Sequence, residues 1–395
     1  MGGKINTDKH TVEELLTRFV SEVIDKESLR ATLLSGKKLR IKLGIDPTSP
    51  HIHLGRAVLL LKLRAFQSLG HTAVFIVGDA TGVIGDTSDK DSERPMLTKD
   101  AVAKNAETYL EQASKLIDLN QAEVHHNSEW LNTLTYKEIG EHASLFSVAD
   151  FIARDNIKRR LEGGTRVSLR EVLYPLMQGY DSVAVSADVE IGGTDQRFNL
   201  LAGRTLQEHH NQPPQNILMT KLIPGTDGRK MSSSWGNTIT VVDEPGDMYG
   251  KVMRVPDDLV ETYFTACTLL PVESIKEAIS LHPRDAKMRL AREITALYHG
   301  ETNAKIAEEH FVKTFQEGAF PEAAQETTIS GGSLLVDVLL ENGVVSSRSE
   351  ARRLINERAI TDGQIPITEI DHVLLKDAEL KIGKKRFLRV RIKRE

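Results

Sequence analysis

The sequence predicts an α/β protein of several domains: a parallel-sheet domain first, an α-helical domain second and a small α+β domain last. Three observations predict it: a strand, loop, helix, strand unit near the start, a long helical stretch after Pro245, and a compact basic unit at the end. With 395 residues the chain exceeds what one hydrophobic core normally serves. Its 40% hydrophobic and 27% charged residues are the proportions of a soluble globular protein, which excludes disordered and collagen-like classes.

Taken in order, the first forty residues read as helix, with Thr7 or Thr11 as cap and Val12, Leu15, Leu16, Phe19, Val23 and Ile24 at helical spacing. Leu39 to Ile45 alternates like a strand and runs into Asp46-Pro-Thr-Ser-Pro50, a turn-forming stretch. Helical spacing returns from His53 to Leu69, Gly70 ends that helix, and Thr72 to Val77 is a second buried strand, completing the repeat of a parallel sheet. Helical segments follow from Lys99 to Leu119 and from Tyr136 to Leu161, and Asp188 to Ile191 is a short strand ending in Gly192-Gly193. Gly225 to Ser234 is a polar, flexible loop. These readings divide the chain into a sheet domain with a helical N-terminal segment at 1–240, a helical domain at 241–320, a linker at 321–332 rich in Ala, Glu, Thr and Gly, and a terminal domain at 333–395.

Cys267 is the only cysteine, so no internal disulfide forms and a reducing compartment, the cytoplasm, is expected. The opening Met-Gly-Gly-Lys-Ile-Asn is a poor myristoylation signal, no apolar signal segment follows, and the longest apolar stretch, Ala57 to Leu63, is too short to span a bilayer and contains Lys62. No membrane association is expected. His125-His126 and Cys267 lack the spacing of a metal site, so no bound metal is expected; Trp130 and Trp235 read as packing residues. The net charge of −5 averages over unlike parts: from Ser346 to Glu395 there are 13 basic and 8 acidic residues.

Chemistry concentrates at three places. Asp46-Pro-Thr-Ser-Pro-His-Ile-His-Leu-Gly55 stands at a strand-to-helix junction, where free backbone N–H groups and the helix dipole favour phosphate. Alone, His-Leu-Gly reads better as a capped helix with an incidental histidine. Gly228-Arg-Lys-Met-Ser-Ser-Ser234 puts Lys230 at the tip of a loop, where an ammonium can stabilise a departing pyrophosphate or simply be solvated. Tyr174, Gln178 and Asp181, at i, i+4 and i+7, give one helical face a phenol, an amide and a carboxylate; Gly192-Gly-Thr-Asp-Gln-Arg-Phe-Asn199 follows.

The first two motifs together resemble the signatures of class I aminoacyl-tRNA synthetases, and with the third the chain resembles the bacterial tyrosyl-tRNA synthetases over nearly its whole length, most strongly from Leu39 to Pro256. The resemblance implies a Rossmann-like catalytic domain that activates tyrosine with ATP, magnesium arriving with the nucleotide, and then charges the tRNA for tyrosine. It implies that Asp181 accepts a hydrogen bond from the substrate phenol, that Tyr174, Gln178 and Asp86 hold the α-ammonium, and that Gln196 lies beside the tyrosine. It further implies that Thr48, His53, Lys90, Arg94 and Lys230 act on the phosphates. Asp46, Gly55, Arg56, Gly193, Asp195, Met231, Ser232 and Ser233 would meet ATP. The basic end resembles the small RNA-binding domain called the alpha-L motif, with Arg348, Arg352 and Arg353 toward RNA phosphates; a homodimer is also implied. Two departures stand out. Arg56 occupies the place of a second signature histidine, and Lys42 the place of a tyrosine that meets the substrate hydroxyl in many bacterial relatives; its alternating strand also fits a solvent-facing lysine, which keeps it off the expected site. Tryptophanyl-tRNA synthetases share the fold and both signatures, but an indole does not need Asp181. A non-catalytic RNA-binding protein on the same body is the other alternative.

Overall fold

The computed structural model describes residues 5–87, 92, 96–232, 235–315, 324–363, 365–383 and 386–393. Two compact units divide at Lys305 and Ile306.

The first unit is built on a six-stranded sheet of β1 (Val20–Ile24), β2 (Arg40–Ile45), β3 (Thr72–Val77), β4 (Ala122–His126), β5 (Val189–Gly193) and β6 (Asn216–Thr220), in the order β1-β6-β5-β2-β3-β4. Every neighbouring pair is parallel except β1 with β6. The chain therefore runs outward from β2 through β3 to β4, then returns to the other side of β2 to lay down β5 and β6. Ligands of such sheets bind where the order reverses, beyond the carboxyl ends of the strands. Here β2 and β5 are in register only at Ile41–Val189 and Lys42–Glu190, then part. The fork opens directly under the cavity described below.

Burial on both faces explains the apolar runs of β2 and β3. Ile41, Leu43, Val74, Phe75 and Ile76 are inaccessible or nearly so. Helices Leu54–Ser68, Leu169–Ala184 and Arg197–His209 flank the sheet. The last two cross closely enough that a Cβ on Gly179 would meet Leu206 Cδ1 at 2.9 Å and the Gly203 nitrogen at 3.0 Å. The expectation of helix throughout the first forty residues fails at Val20–Ile24, which is strand β1 between Phe19 and Asp25, both with positive φ. Val23 and Ile24 fit a helical period, but β-branched residues beside an available strand edge gain more from pairing with β6. The stretch expected as helix from Tyr136 to Leu161 is three short helices, each opened afresh, the first by a Thr135–Glu138 capping box. Helices Pro245–Val252, Val260–Cys267, Val272–Ile279 and Pro283–His299 belong to the same compact unit as the sheet.

The second unit carries β7 (Gln325–Ile329), β8 (Ser333–Leu334), β9 (Ile360–Asp362), β10 (Ile365–Pro366), β11 (Val373–Leu374), β12 (Ala378–Ile382) and β13 (Arg386–Ile392). Five of them form a sheet in the order β10-β9-β12-β13-β7 and β11 pairs with β8. Strand β7 lies in the stretch read as linker; its polar composition hides a parallel pairing with β13. Helices Leu335–Glu341 and Arg348–Asn356 supply Leu335, Leu339, Leu354 and Ile355 to a core shared with Leu380, Leu388 and Val390.

Candidate functional site

A cavity of about 580 Å³ opens at the carboxyl ends of β2 and β5. It is lined by Asp46, Thr48, His53, Gly55, Arg56, Asp86, Tyr174, Gln178, Asp181, Gly193, Asp195, Gln196, Lys230, Met231 and Ser232, so all three sequence motifs contribute to one space. Lys90, Arg94 and Ser233 lie outside the described residues. Arg348, Arg352 and Arg353 belong to the second unit, where all three are exposed; Arg348 pairs with Asp337 at 2.8 Å and Arg353 with Glu357 at 3.0 Å.

Asp46 follows the last residue of β2. Its Oδ1 accepts from the Thr81 hydroxyl at 2.7 Å and its Oδ2 from the Tyr174 hydroxyl at 2.8 Å. Loss of water pushes the Asp46 carboxyl up to about 6 against those two hydrogen bonds. A side chain on Gly78 would stand 2.1 Å from Asp46 Oδ1, so glycine is required beside this carboxylate. Arg56 folds back over the same loop, donating to the Asp46 carbonyl at 3.2 Å, the Tyr109 hydroxyl at 2.7 Å and the Thr48 hydroxyl at 2.8 Å. It thereby braces the turn that carries Thr48.

His53 caps the Leu54–Ser68 helix with extended backbone. The Leu54 N–H donates to the Ile239 carbonyl at 2.8 Å and the Gly55 N–H to Met231 Sδ at 3.3 Å, which ties the first signature to the second. Lys230 reaches across to Asp195 Oδ2 at 3.0 Å, joining the loop to the end of β5. A Cβ on Gly193 would lie 2.6 Å from Asp195 Oδ1; glycine keeps that carboxylate in place.

The end of the cavity at Asp181 is more enclosed. Asp181 is 4% exposed, and its carboxylate accepts from the Trp130 indole N–H at 2.8 Å and from Asn127 Nδ2 at 3.3 Å. Burial pushes its carboxyl up to about 7, opposed by the Lys42 charge and by those two donors. Gln178 donates to Glu190 Oε1 at 3.2 Å and accepts from Asn199 at 3.1 Å; Asn199 also donates to Gln196 Oε1 at 3.0 Å, and Gln196 donates to Asp86 Oδ2 at 2.6 Å. The result is a carboxylate at the closed end, a band of amides and carboxylates in the middle, and a lysine with a helix N-terminus at the mouth. One end suits a phenol, the band suits an ammonium and the mouth suits a triphosphate.

Sequence reasoning missed part of this constellation. Trp130 is a hydrogen-bond donor to Asp181 as well as a packing residue, Asn127 carried no local signal, and Asn199 closes a quoted motif but was given no role. Lys42 faces neither solvent nor surface: it is fully buried, because a strand at the centre of a parallel sheet is covered on both faces. Its signal was available in the strand period, which puts Lys42, Gly44 and Asp46 on one face.

Residues 34–316 match the family model of tRNA synthetases class I (W and Y). The chain is 46% identical to the tyrosine–tRNA ligase of Thermotoga maritima, over 95% of this chain and 96% of that protein. It is 42% identical to tyrosine–tRNA ligase 2 of Vibrio cholerae, over 96% and 98%. Among solved structures, the fold is similar to a tyrosyl-tRNA synthetase complexed with L-tyrosine from Archaeoglobus fulgidus, at TM-score 0.61 and 22% identity over 76% of this chain and all of that one. A C-terminally truncated mitochondrial tyrosyl-tRNA synthetase of Coccidioides posadasii gives TM-score 0.63 at 24% identity, over 76% and 90%. Identity over nearly the full length, together with a cavity that assembles both signatures around a buried acceptor, places the chain in its family: it belongs to the class I tyrosyl-tRNA synthetases.

Proposed function

We propose that the cavity binds L-tyrosine and ATP, joins them as tyrosyl-adenylate with release of pyrophosphate, and passes tyrosine to the 3′ end of its tRNA. The observation that carries this reading is Asp181: a buried carboxylate at the closed end of the cavity, with Trp130 and Asn127 fixing its orientation. Its ionised form is acceptor-only and suits a phenolic O–H; phenylalanine would leave it unpaired, and tyrosyl-tRNA synthetases are the standing instance of that rejection. Tyr174, Gln178 and Asp86 are assigned to the α-ammonium, Gln196 to the neighbouring wall, and Gly193 and Asp195 to the ribose. Asp46, which accepts from the Tyr174 hydroxyl, steadies that group while its loop passes under the phosphates.

Thr48, His53, Gly55, Arg56, Lys230 and the Met231-Ser232-Ser233 loop are assigned to the phosphates, joined by Lys90 and Arg94; magnesium comes with ATP. The tyrosine carboxylate oxygen bonds to the α-phosphorus as the bond to the bridging oxygen breaks, and pyrophosphate leaves with that electron pair. Lys230 exchanges Asp195 for the leaving phosphates, so its charge is held ready at 3.0 Å until the substrate competes for it. A ribose hydroxyl of the tRNA then attacks the tyrosyl carbonyl, losing its proton as AMP departs. Alignment and charge suffice; no covalent enzyme intermediate is needed.

Arg348, Arg352 and Arg353 are assigned to RNA phosphates, supported by their exposure on one basic helix. Exposed apolar side chains at Tyr136, Val148 and Leu169 support a homodimer, and a lone buried Cys267 supports a reducing, cytoplasmic setting. Among the described residues no helix is long and apolar enough to cross a membrane. ATP–pyrophosphate exchange run separately with each amino acid tests the central assignment. Exchange with tyrosine is expected; exchange with tryptophan alone, or with none, overturns it.

A further inference from the structure

Lys42 lies outside every role assigned so far, yet it places a charge in the buried centre of the sheet. It is fully buried, and all three ammonium donors are used: Glu190 Oε1 at 2.9 Å, the Ser182 hydroxyl at 2.7 Å and the Gln178 carbonyl at 2.8 Å. Glu190 is its register partner, at the last paired position before β2 and β5 separate beneath the cavity. The carboxylate of Glu190 is equally committed. Its Oε1 accepts from Gln178 Nε2 at 3.2 Å as well as from Lys42, and its Oε2 accepts from Ser182 at 3.1 Å and from Gln215. Space for this network is provided by Gly203, where a Cβ would stand 2.6 Å from Gln215 Nε2 and 2.9 Å from the Ser182 hydroxyl.

Two residues expected to meet tyrosine are thus fixed from below. Glu190 takes the amide N–H of Gln178, which turns the amide oxygen away from it, and Lys42 grips the helix backbone at Gln178 and the side chain next to Asp181. We infer that the Lys42–Glu190 pair is a positioning device for amino-acid selection, setting the orientation of Gln178 and the placement of the helix turn that carries Asp181 without Lys42 touching the substrate. The inference rests on the tyrosine-activating reading above. A buried ion pair is a poor way to gain stability, since desolvation offsets most of the attraction; its place at the fork gives it a different use. The charged and titratable groups around Asp181 are Lys42 from β2, Glu190 from β5 and Tyr174 from its own helix, while Trp130 and Asn127 add neutral donors. Lys42 holds the Asp181 carboxyl down and Glu190 pushes it up.

These opposite signs provide the test. The tyrosine concentration giving half-maximal ATP–pyrophosphate exchange is measured across a pH series for the wild type, Lys42→Met, Lys42→Arg and Glu190→Gln, with KM for ATP and thermal melts recorded alongside. Lys42→Met should move the pH midpoint of tyrosine saturation upward by about one unit, and Glu190→Gln should move it downward. Both should raise the tyrosine KM by at least about tenfold while the ATP KM stays within about twofold, and Lys42→Arg should recover part of the loss. Midpoints that stay put, or that move in the same direction in folded Lys42→Met and Glu190→Gln, overturn the inference; so does an equal rise in both KM values. If Lys42→Met does not fold, the direction of the Glu190→Gln shift decides. Absence of tyrosine exchange in the wild type would instead overturn the underlying reading.

Discussion

In the first unit Lys42, Glu190, Arg160, Glu171 and Asp181 are all buried, each committed to two or more polar partners; between residues 324 and 393 of the second unit no described charged or polar side chain is buried at all. There the core is aliphatic, and Arg348, Arg353, Arg386 and Arg391 sit at the surface in pairs with Asp337, Glu357, Glu350 and Asp377. Charge taken out of water costs free energy that a fold recovers only with complete pairing, whereas exposed pairs cost little and contribute little. Under the proposed function the buried charge of Asp181 and Glu190 lines the cavity that selects the amino acid, whereas the Arg160–Glu171 pair does not line it. Surface charge in the second is where the proposed contact with RNA phosphates would be made.

The largest effect that would sharpen this contrast lies at Arg160 and Glu171, paired at 2.5 Å, with Glu171 also accepting from Thr87 at 2.6 Å and from the Ser168 N–H at 2.9 Å. Burial favours protonating Glu171, but these partners outweigh it and bring its carboxyl down to about 2. Glu171→Ala leaves Arg160 uncompensated and should destabilise the first unit by about 3–5 kcal/mol in urea denaturation. A loss below about 1 kcal/mol would mean that this buried charge is solvated after all.

The counterpart in the second unit is purely apolar. Leu388 is inaccessible on an inner strand of its sheet, and Leu388→Ala should cost that unit about 2–5 kcal/mol. ATP–pyrophosphate exchange should survive the substitution while tRNA charging weakens. Exchange lost in parallel with charging would break the separation of roles.

The expected architecture was legible where one period governs a segment. Thr72–Val77 and Arg386–Ile392 are the strands anticipated, and Tyr174, Gln178 and Asp181 share the face that their spacing implies. Illegible were the elements made by pairing with distant chain: β1 and β6 join across almost two hundred residues, and β7 becomes a strand because β13 offers an edge. The same holds within the site. Residues inside a signature could be named, and the strand period could have placed Lys42 on the face of Asp46, but Trp130, Asn127 and Glu190 act through contacts that no local pattern encodes. Arg56 was readable as a substitution, but its use as a brace on Thr48 and Tyr109 was not.

A smaller effect concerns pH. Asp181 has its carboxyl raised to about 7 from an ordinary 3.8, so between those values the folded protein binds a proton that the unfolded chain has released. Its contribution to stability therefore falls as pH rises through that window, and tyrosine binding, which in the proposed function uses the ionised form, should strengthen over the same window. Asp181→Asn should flatten both profiles; a slope that persists would assign the titration elsewhere, Asp46 first.

Smallest of all is Arg353→Gln. Its pair with Glu357 is exposed, so stability should change by less than about 1 kcal/mol. Binding to tRNA, followed by filter retention as salt is raised, should lose about one unit of its logarithmic salt slope. An unchanged slope would remove Arg353 from the proposed RNA surface.

The most direct test of the account is the ratio of kcat/KM for tyrosine to that for phenylalanine, compared between the wild type and Asp181→Asn. If a buried carboxylate oriented by Trp130 and Asn127 selects the amino acid, the ratio is large in the wild type and falls by at least about tenfold in the variant, through loss with tyrosine. A ratio that stays the same in a folded, active variant would contradict it.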